Sequence, residues 1–237
     1  MSVKQSVRAL LEQNRNVYVS GEHVASQLAV SRAAVWKAVK SLQADGYLIS
    51  AVPNKGYRLL PESDILSDAG LRLSLAPQYR DIPVDIRKRT GSTNQDAKAL
   101  AVAGAVHGTV VLAEAQTGGR GRLGRSFYSP AGTGLYLSVV LRPGLVFSDA
   151  VLITTAAAVA AARAIESVTG RSPQIKWVND LYLNGKKVCG ILTEAVSDFE
   201  SGTIESVVVG IGVNFRENAG LPEELRDVVG ALYDESP

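Results

Sequence analysis

Apolar positions in the first sixty residues recur with a helical period and then give way to strand-like runs. Val3, Val7, Leu10 and Leu11 open a helix. Gly21-Glu22 begins a second one with Val24, Ala25 and Leu28 on one face, Ala29-Val30 makes a turn, and Ser31 is placed to cap a third helix. In that third helix Val35, Ala38, Val39 and Leu42 recur at the spacing of one inward face, which leaves Arg32, Ala33, Trp36, Lys37 and Lys40 outward. After Gly46 the chain from Tyr47 to Leu60 reads as two strands joined by Pro53-Asn54-Lys55-Gly56. Two helices across a tight turn, followed by a hairpin, predict a winged helix-turn-helix whose basic helix enters the DNA major groove. Lys55 and Arg58 on the wing are placed to meet phosphates, a contact that adds affinity but little sequence information. The alternative is a winged helix used for protein contact, with its charges merely solvated.

Pro61-Glu62-Ser63-Asp64 is polar and proline-led, so the expected organisation is a winged helix over 1–61, a linker over 62–66 and a larger domain over 67–237. In the larger part, short β-rich runs (Val84 to Arg89, Thr109 to Ala115, Leu135 to Leu141, Gln174 to Val178, Val188 to Val196, Ser206 to Val213) alternate with helical stretches and turns. Asn184-Gly185 marks a type I′ hairpin. A long alanine-rich helix, capped by Ser148 or Asp149, is expected to cover one face of a mixed sheet, giving an α+β fold.

Composition narrows the class. With 46% apolar and 20% charged residues the chain has the means to bury a core. The net charge of +2 divides unevenly at Pro61: eight Lys+Arg against three Asp+Glu before it, a balance of +5, leave −3 after it. That asymmetry suits a nucleic-acid-binding module on a near-neutral body. The single cysteine, Cys189, excludes an internal disulfide and a cysteine-rich metal site, fits a reducing cytosol, and reads as a packing residue within a strand. The N-terminus lacks the build of a signal peptide, and the apolar stretch from Ile153 to Ala162 is short for a bilayer, so a cytoplasmic protein with no membrane partner is expected.

The densest chemistry lies between Gln116 and Arg125, where Gly118, Gly119, Gly121 and Gly124 alternate with Arg120, Arg122 and Arg125. The run has neither the ending of a Walker A loop nor a helix after its glycines. Glycine lets backbone amides approach an anion and arginine supplies a planar charged fork, so an anion-gripping loop is expected; the alternative is a solvated basic surface loop. Gly119 to Arg125 resembles the biotinyl-adenylate loop of bacterial biotin–protein ligases. Ser92-Thr93-Asn94, Lys176-Trp177-Val178-Asn179-Asp180, Lys187 to Glu194 and Gly210 to Asn214 resemble further segments of that family in the same order. The winged helix before them matches the subclass that doubles as the biotin operon repressor.

The resemblance implies a ligase domain like that of class II aminoacyl-tRNA synthetases, acting on biotin and ATP with substrate-associated Mg2+ and no metal site of its own. It places Ser92, Thr93, Asn94, Gln116 and Gly121 around biotin. Lys176 would lie between the biotin carboxylate and the α-phosphate, and Arg120 and Arg122 would close over the adenylate. Asn179, Asp180 and Asn214, with Arg122 and Lys176, would hold the nucleotide. The implied partners are a biotin carboxyl carrier protein, operator DNA and a second copy of the chain once biotinyl-AMP is bound. Two residue-level readings compete with these roles: Ser92 begins a capping-box pattern, and a lysine beside Trp177 is more often a surface cation. Val178 replaces a proline common in this motif and is expected to be tolerated because valine favours a strand. Ligases of this subclass usually continue into a small C-terminal β-barrel, which this chain, ending at Pro237, is expected to lack, with adenylation or transfer weakened. A biotin-sensing repressor without turnover, and a lipoate or octanoate transfer enzyme, are the competing functions.

Overall fold

Ser2 caps helix α1 (Val3–Gln13) through a reciprocal capping box with Gln5. Ser20 and Ser31 cap α2 (Gly21–Gln27) and α3 (Arg32–Ala44) by accepting from the backbone N–H groups of His23 and Ala34. The turn between α2 and α3 passes through Ala29 at φ 52. Strands β1 (Ile49–Val52) and β2 (Gly56–Leu59) pair antiparallel, with Asn54 in the left-handed region between them. Gly56 has φ 103 and lies so close to the α1–α2 connection that a Cβ there would sit 2.1 Å from the Val19 carbonyl oxygen. The predicted inward residues Val7, Leu10, Leu11, Val24, Ala25, Val35, Ala38, Val39 and Leu42 are buried in one cluster, closed by Val19, Tyr47, Ile49 and Leu59.

The computed structural model describes residues 2–143, 150–197 and 204–233, and the chain divides into two compact units, Met1–Asp81 and Ile82–Pro237. The boundary therefore falls some way beyond Pro61, and the expected linker over 62–66 is packed. Glu12, with its side chain 2% exposed, pairs with Arg15 at 2.7 Å. Arg15 in turn donates to the carbonyls of Leu60, Pro61 and Ser63. Ser63 Oγ accepts from the Leu48 N–H, Ile65 packs on the core, and Ser67 caps α4 (Asp68–Ser74) while lying 3.3 Å from Glu12. The polar, proline-led stretch Pro61–Asp64 reads as a linker; here hydrogen bonds hold it, and Ile65 after it packs on the core.

The second unit is built on a seven-stranded mixed sheet in the order β3-β4-β5-β9-β8-β7-β6. Its strands are β3 (Val84–Arg87), β4 (Val110–Ala113), β5 (Gly134–Leu141), β6 (Gln174–Lys176), β7 (Asp180–Leu183), β8 (Lys186–Ser197) and β9 (Ile204–Asn214). β3 and β4 are parallel and the remaining pairs antiparallel. Asn184 (φ 51) and Gly185 (φ 79) make the predicted hairpin turn between β7 and β8, with both central residues in the left-handed region. The predicted strand from Gln174 to Val178 is shorter: it stops at Lys176, and Val178 sits in a turn after a cis Trp177–Val178 peptide, ahead of β7.

Strand alternation places two helices on opposite faces. On β9, Val207 and Val209 pack in a cluster with Ala158 and Ile165 of α6 (Ala150–Thr169), while Val208 packs with Ala97 and Ala101 of α5 (Thr93–Val102). The alanine-rich helix is longer than the apolar stretch suggested. Its segment Leu152–Thr169 is long and apolar enough to cross a membrane by length and composition, yet one side of it lies on the sheet. Its proposed caps, Ser148 and Asp149, fall outside the described residues.

Candidate functional site

The α5 face of the sheet carries glycine where other strands carry side chains, and that is where the cavity forms. Successive same-side positions on β9 are Val208, Gly210 and Gly212, opposite Gly190 on β8. A Cβ on Gly212 would lie 2.5 Å from the Phe127 ring, one on Gly190 2.9 Å from it, and one on Gly210 2.0 Å from Asn94 Oδ1. The missing side chains thus leave room for Phe127 and Asn94 and for a cavity of about 50 Å³, space for a few water molecules. Ser92, Thr93, Asn94, Gln116, Arg120, Gly121 and Arg122 line it, together with Asn179, Lys187, Phe127 and the β8 residues Ile191 and Leu192.

Ser92 occupies the N-cap position of α5, but its hydroxyl makes no capping bond, so the expected capping box is absent. Its side chain is withheld from the helix and lines the cavity although the residue is only 3% exposed. The first α5 amide is served by Gln116 instead: Oε1 accepts from the Thr93 N–H at 2.9 Å, and Nε2 donates to Ser129 Oγ at 2.9 Å. Asn94 lines the cavity as well. Its Nδ2 donates to Glu194 Oε2 at 2.8 Å and the Leu192 carbonyl at 3.3 Å, while Oδ1 accepts from Ser138 at 2.6 Å. Both amide protons are engaged by the protein, and the side chain forms part of the cavity wall.

The lysine that lines this cavity is Lys187, and Lys176 lies outside it. Lys176 ends exposed β6, with Nζ 3.4 Å from Tyr182 Oη and 4.8 Å from that ring centroid, and does not line the cavity. Lys187 does: its Nζ pairs with Asp180 at 2.7 Å and lies 5.9 Å from the centre of the Phe127 ring. A bulge delivers it. Leu181 pairs with Cys189 but Tyr182 with Lys187, so Val188 is an extra residue on β8. Val188 and Cys189 both enter the α6 cluster, and Lys187 is turned to the side of Gly190. Strict alternation misses it; its one signal in the sequence is its place at the head of a segment that resembles the family.

Asp180 is committed to Lys187 and accepts from Asn179 Nδ2 at 3.1 Å. Arg122 reaches across the cavity mouth to Asn179 Oδ1 at 3.2 Å. Asn214 does not line the cavity. It donates to the Lys187 carbonyl at 3.3 Å and borders a neighbouring hollow of about 460 Å³ that also holds Lys186, Arg216 and Arg226. Among the described residues, no three His, Cys, Asp or Glu side chains gather as a metal site. Burial pushes the Cys189 thiol up to about 12, and the Lys187 charge does not offset it, so the thiol is protonated at neutral pH and packs as predicted. At Glu194, burial acts to raise the carboxyl pKa, but the hydrogen bonds from Lys98 and Asn94 and the charges of Lys98 and Arg120 outweigh it and hold the group below its ordinary range.

In the N-terminal unit, Arg32, Ala33, Trp36, Lys37 and Lys40 all lie exposed on α3, and Lys55 is exposed at the wing tip. Arg58 is drawn back: its guanidinium lies 4.8 Å from the Tyr18 ring centroid.

Comparison with known proteins places residues 86–214 in the biotin/lipoate A/B protein ligase family and residues 4–58 in a helix-turn-helix domain. The chain is 36% identical to the bifunctional ligase/repressor BirA of Bacillus spizizenii over 99% of its own length and 72% of that protein's. It is also 36% identical to the protein of that name from Bacillus subtilis, over 98% and 71% respectively. Among solved structures, the biotin protein ligase of Aquifex aeolicus in complex with biotin and ATP superposes with a TM-score of 0.51 at 33% identity, covering 63% of this chain and 59% of that one.

Proposed function

The chain belongs to the biotin/lipoate A/B protein ligase family and joins a ligase domain to an N-terminal helix-turn-helix domain, and from that premise we propose that it adenylates biotin and transfers it to a carrier protein. The observation that carries the reading is one small cavity in which uncharged polar groups of Ser92, Thr93 and Gln116 meet the cations of Arg120, Arg122 and Lys187. A ring with polar edges, an apolar chain and a terminal carboxylate is the matching ligand.

In this reading biotin lies across Gly210 and Gly212 with its ureido group at Ser92, Thr93 and Gln116. The cavity is smaller than such a ligand, so Phe127 and the arginine loop shift as it enters. MgATP occupies the neighbouring hollow, where Asn214, Lys186, Arg216 and Arg226 suit ribose and phosphates. Lys187 takes the role expected of Lys176. Its ammonium, held by Asp180, offsets the repulsion as a carboxylate oxygen attacks the α-phosphorus. The new acyl–phosphate bond forms, the α–β phosphoanhydride bond breaks and pyrophosphate leaves. An uncharged lysine amine of the acceptor, a biotin carboxyl carrier protein, then attacks the acyl carbon and releases AMP. Arg120 and Arg122 shield the anhydride from water until then. The test is pyrophosphate release from MgATP: it is expected with biotin and not with lipoate, and its absence with biotin would overturn the function.

The exposed face of α3 supports binding to operator DNA, and adenylate-dependent pairing of two copies would present two such helices to two half-sites, in the cytoplasm where both targets reside. Replacing Lys37 and Lys40 by alanine is expected to lower the slope of log affinity against log salt by about one for each phosphate that these lysines neutralise. An unchanged slope would remove this face from the DNA interface.

A further inference from the structure

We propose that Trp36 is a specificity-determining residue of the DNA-binding unit, reading the 5-methyl group of a thymine in the operator half-site. This role rests on operator binding as proposed above and adds to it the base feature that α3 reads.

The other large apolar side chains of α3, Val35, Val39 and Leu42, are each 1% exposed, whereas the Trp36 indole is 52% exposed on the face that carries Arg32, Lys37 and Lys40. It walls a hollow of about 820 Å³ between α3 and the wing, opposite Val52 and Pro53. The charged residues that line this hollow are Glu22 and Arg32, and they face each other at 3.7 Å, so it carries no net charge. Lys37, Lys40 and Lys55 are exposed but do not line it. The cations are thus placed for phosphates around a hollow whose own offer is apolar contact. The duplex decides what can accept that offer. In the major groove adenine is read by an amide, cytosine by a carboxylate, guanine by Arg or Lys, and thymine by apolar contact with its methyl group. The one amide on α3, Gln43, donates to the Ile49 carbonyl at 2.8 Å, and α3 carries no acid. Guanine and thymine remain as the bases α3 can read. Near its N-terminal end, the part of a recognition helix that meets base edges, Ala33 and Trp36 are the exposed apolar residues. Of the two, the indole has the face broad enough to close over a methyl group and exclude water from it.

The test removes the methyl group from the DNA and the indole from the protein in turn. The full chain, with biotin and MgATP present, selects a duplex from a random library at low salt. That duplex is then resynthesised with deoxyuridine in place of each thymidine, which deletes one methyl group and leaves every hydrogen-bonding group of the base. For the wild type, one such replacement in a half-site is expected to weaken binding about fourfold, the worth of one buried methyl group. Trp36→Ala should bind the thymidine and deoxyuridine duplexes alike, and Trp36→Phe should keep part of the preference. Both variants should keep the wild-type slope of log affinity against log salt, because neither loses a cation. Should Trp36→Ala fail to fold, Trp36→Phe carries the same comparison. A wild type indifferent to every replacement would overturn the assignment. So would a Trp36→Ala variant that loses affinity yet keeps the full methyl preference, since the indole would then pack on deoxyribose while another residue met the methyl. Retention of no duplex by the wild type would instead overturn operator binding itself.

Discussion

Lys187→Ala is expected to slow biotin-dependent pyrophosphate release by about two to three orders of magnitude, while Lys176→Ala keeps the wild-type rate. The magnitude is that of removing one preorganised charge aimed at a developing anion. Lys187 is held by Asp180 at 2.7 Å, so its ammonium is already placed to meet carboxylate and phosphate. Lys176 is exposed and rests on Tyr182, where solvent screens it. Because the stabilised charge arises as two anions approach, the loss should fall on kcat more than on biotin affinity, and Asp180→Asn should show a smaller loss of the same kind. The reverse ranking of the two lysines would return the role to Lys176.

These two lysines also show what the sequence could and could not disclose. The winged helix was legible almost residue by residue, because helical period, serine caps and a glycine turn are local signals and the structure obeys each. The sheet was legible as short β-rich runs, and the Asn184-Gly185 turn fixed one hairpin in advance. Lys187 was not legible as a site residue, since the bulge at Val188 breaks the alternation that reports which side a strand residue faces. The partners of the Asn94 amide were not legible, because Ser138, Leu192 and Glu194 are distant along the chain. Ser92 gives the opposite error: a local capping pattern is present, but Gln116 from another loop already satisfies the first amide of α5. Local chemistry was readable, whereas competition between distant partners for the same proton was not.

Gly210→Ala should be the most damaging single methyl group on the sheet. Gly210 lies in mid-strand, paired with Ser138 on one side and Leu192 on the other, so its backbone cannot retreat. A Cβ there would meet Asn94 at 2.0 Å from Oδ1 and 2.8 Å from Cγ. Asn94 cannot yield without giving up its bonds to Glu194, Leu192 and Ser138, and buried groups left unpaired add to the overpacking. Together these cost about 3 kcal/mol, or roughly 10 °C in the melting of the ligase unit. Biotin affinity should fall by about a hundredfold if the groups of Thr93 and Gln116 that face the ligand are displaced with the asparagine. Gly212→Ala gives the contrast, because its nearest neighbour is the edge of the Phe127 ring, a side chain with space to turn at the cavity wall. It should spare the melting temperature and alter ligand binding alone. If Gly210→Ala melted and bound biotin like wild type, Asn94 would have an alternative seat, and the glycine would owe its place to the ligand and not to the asparagine. Combining Gly210→Ala with Asn94→Ala decides between these: a clash with the asparagine predicts a double variant far less destabilised than the sum of its parts.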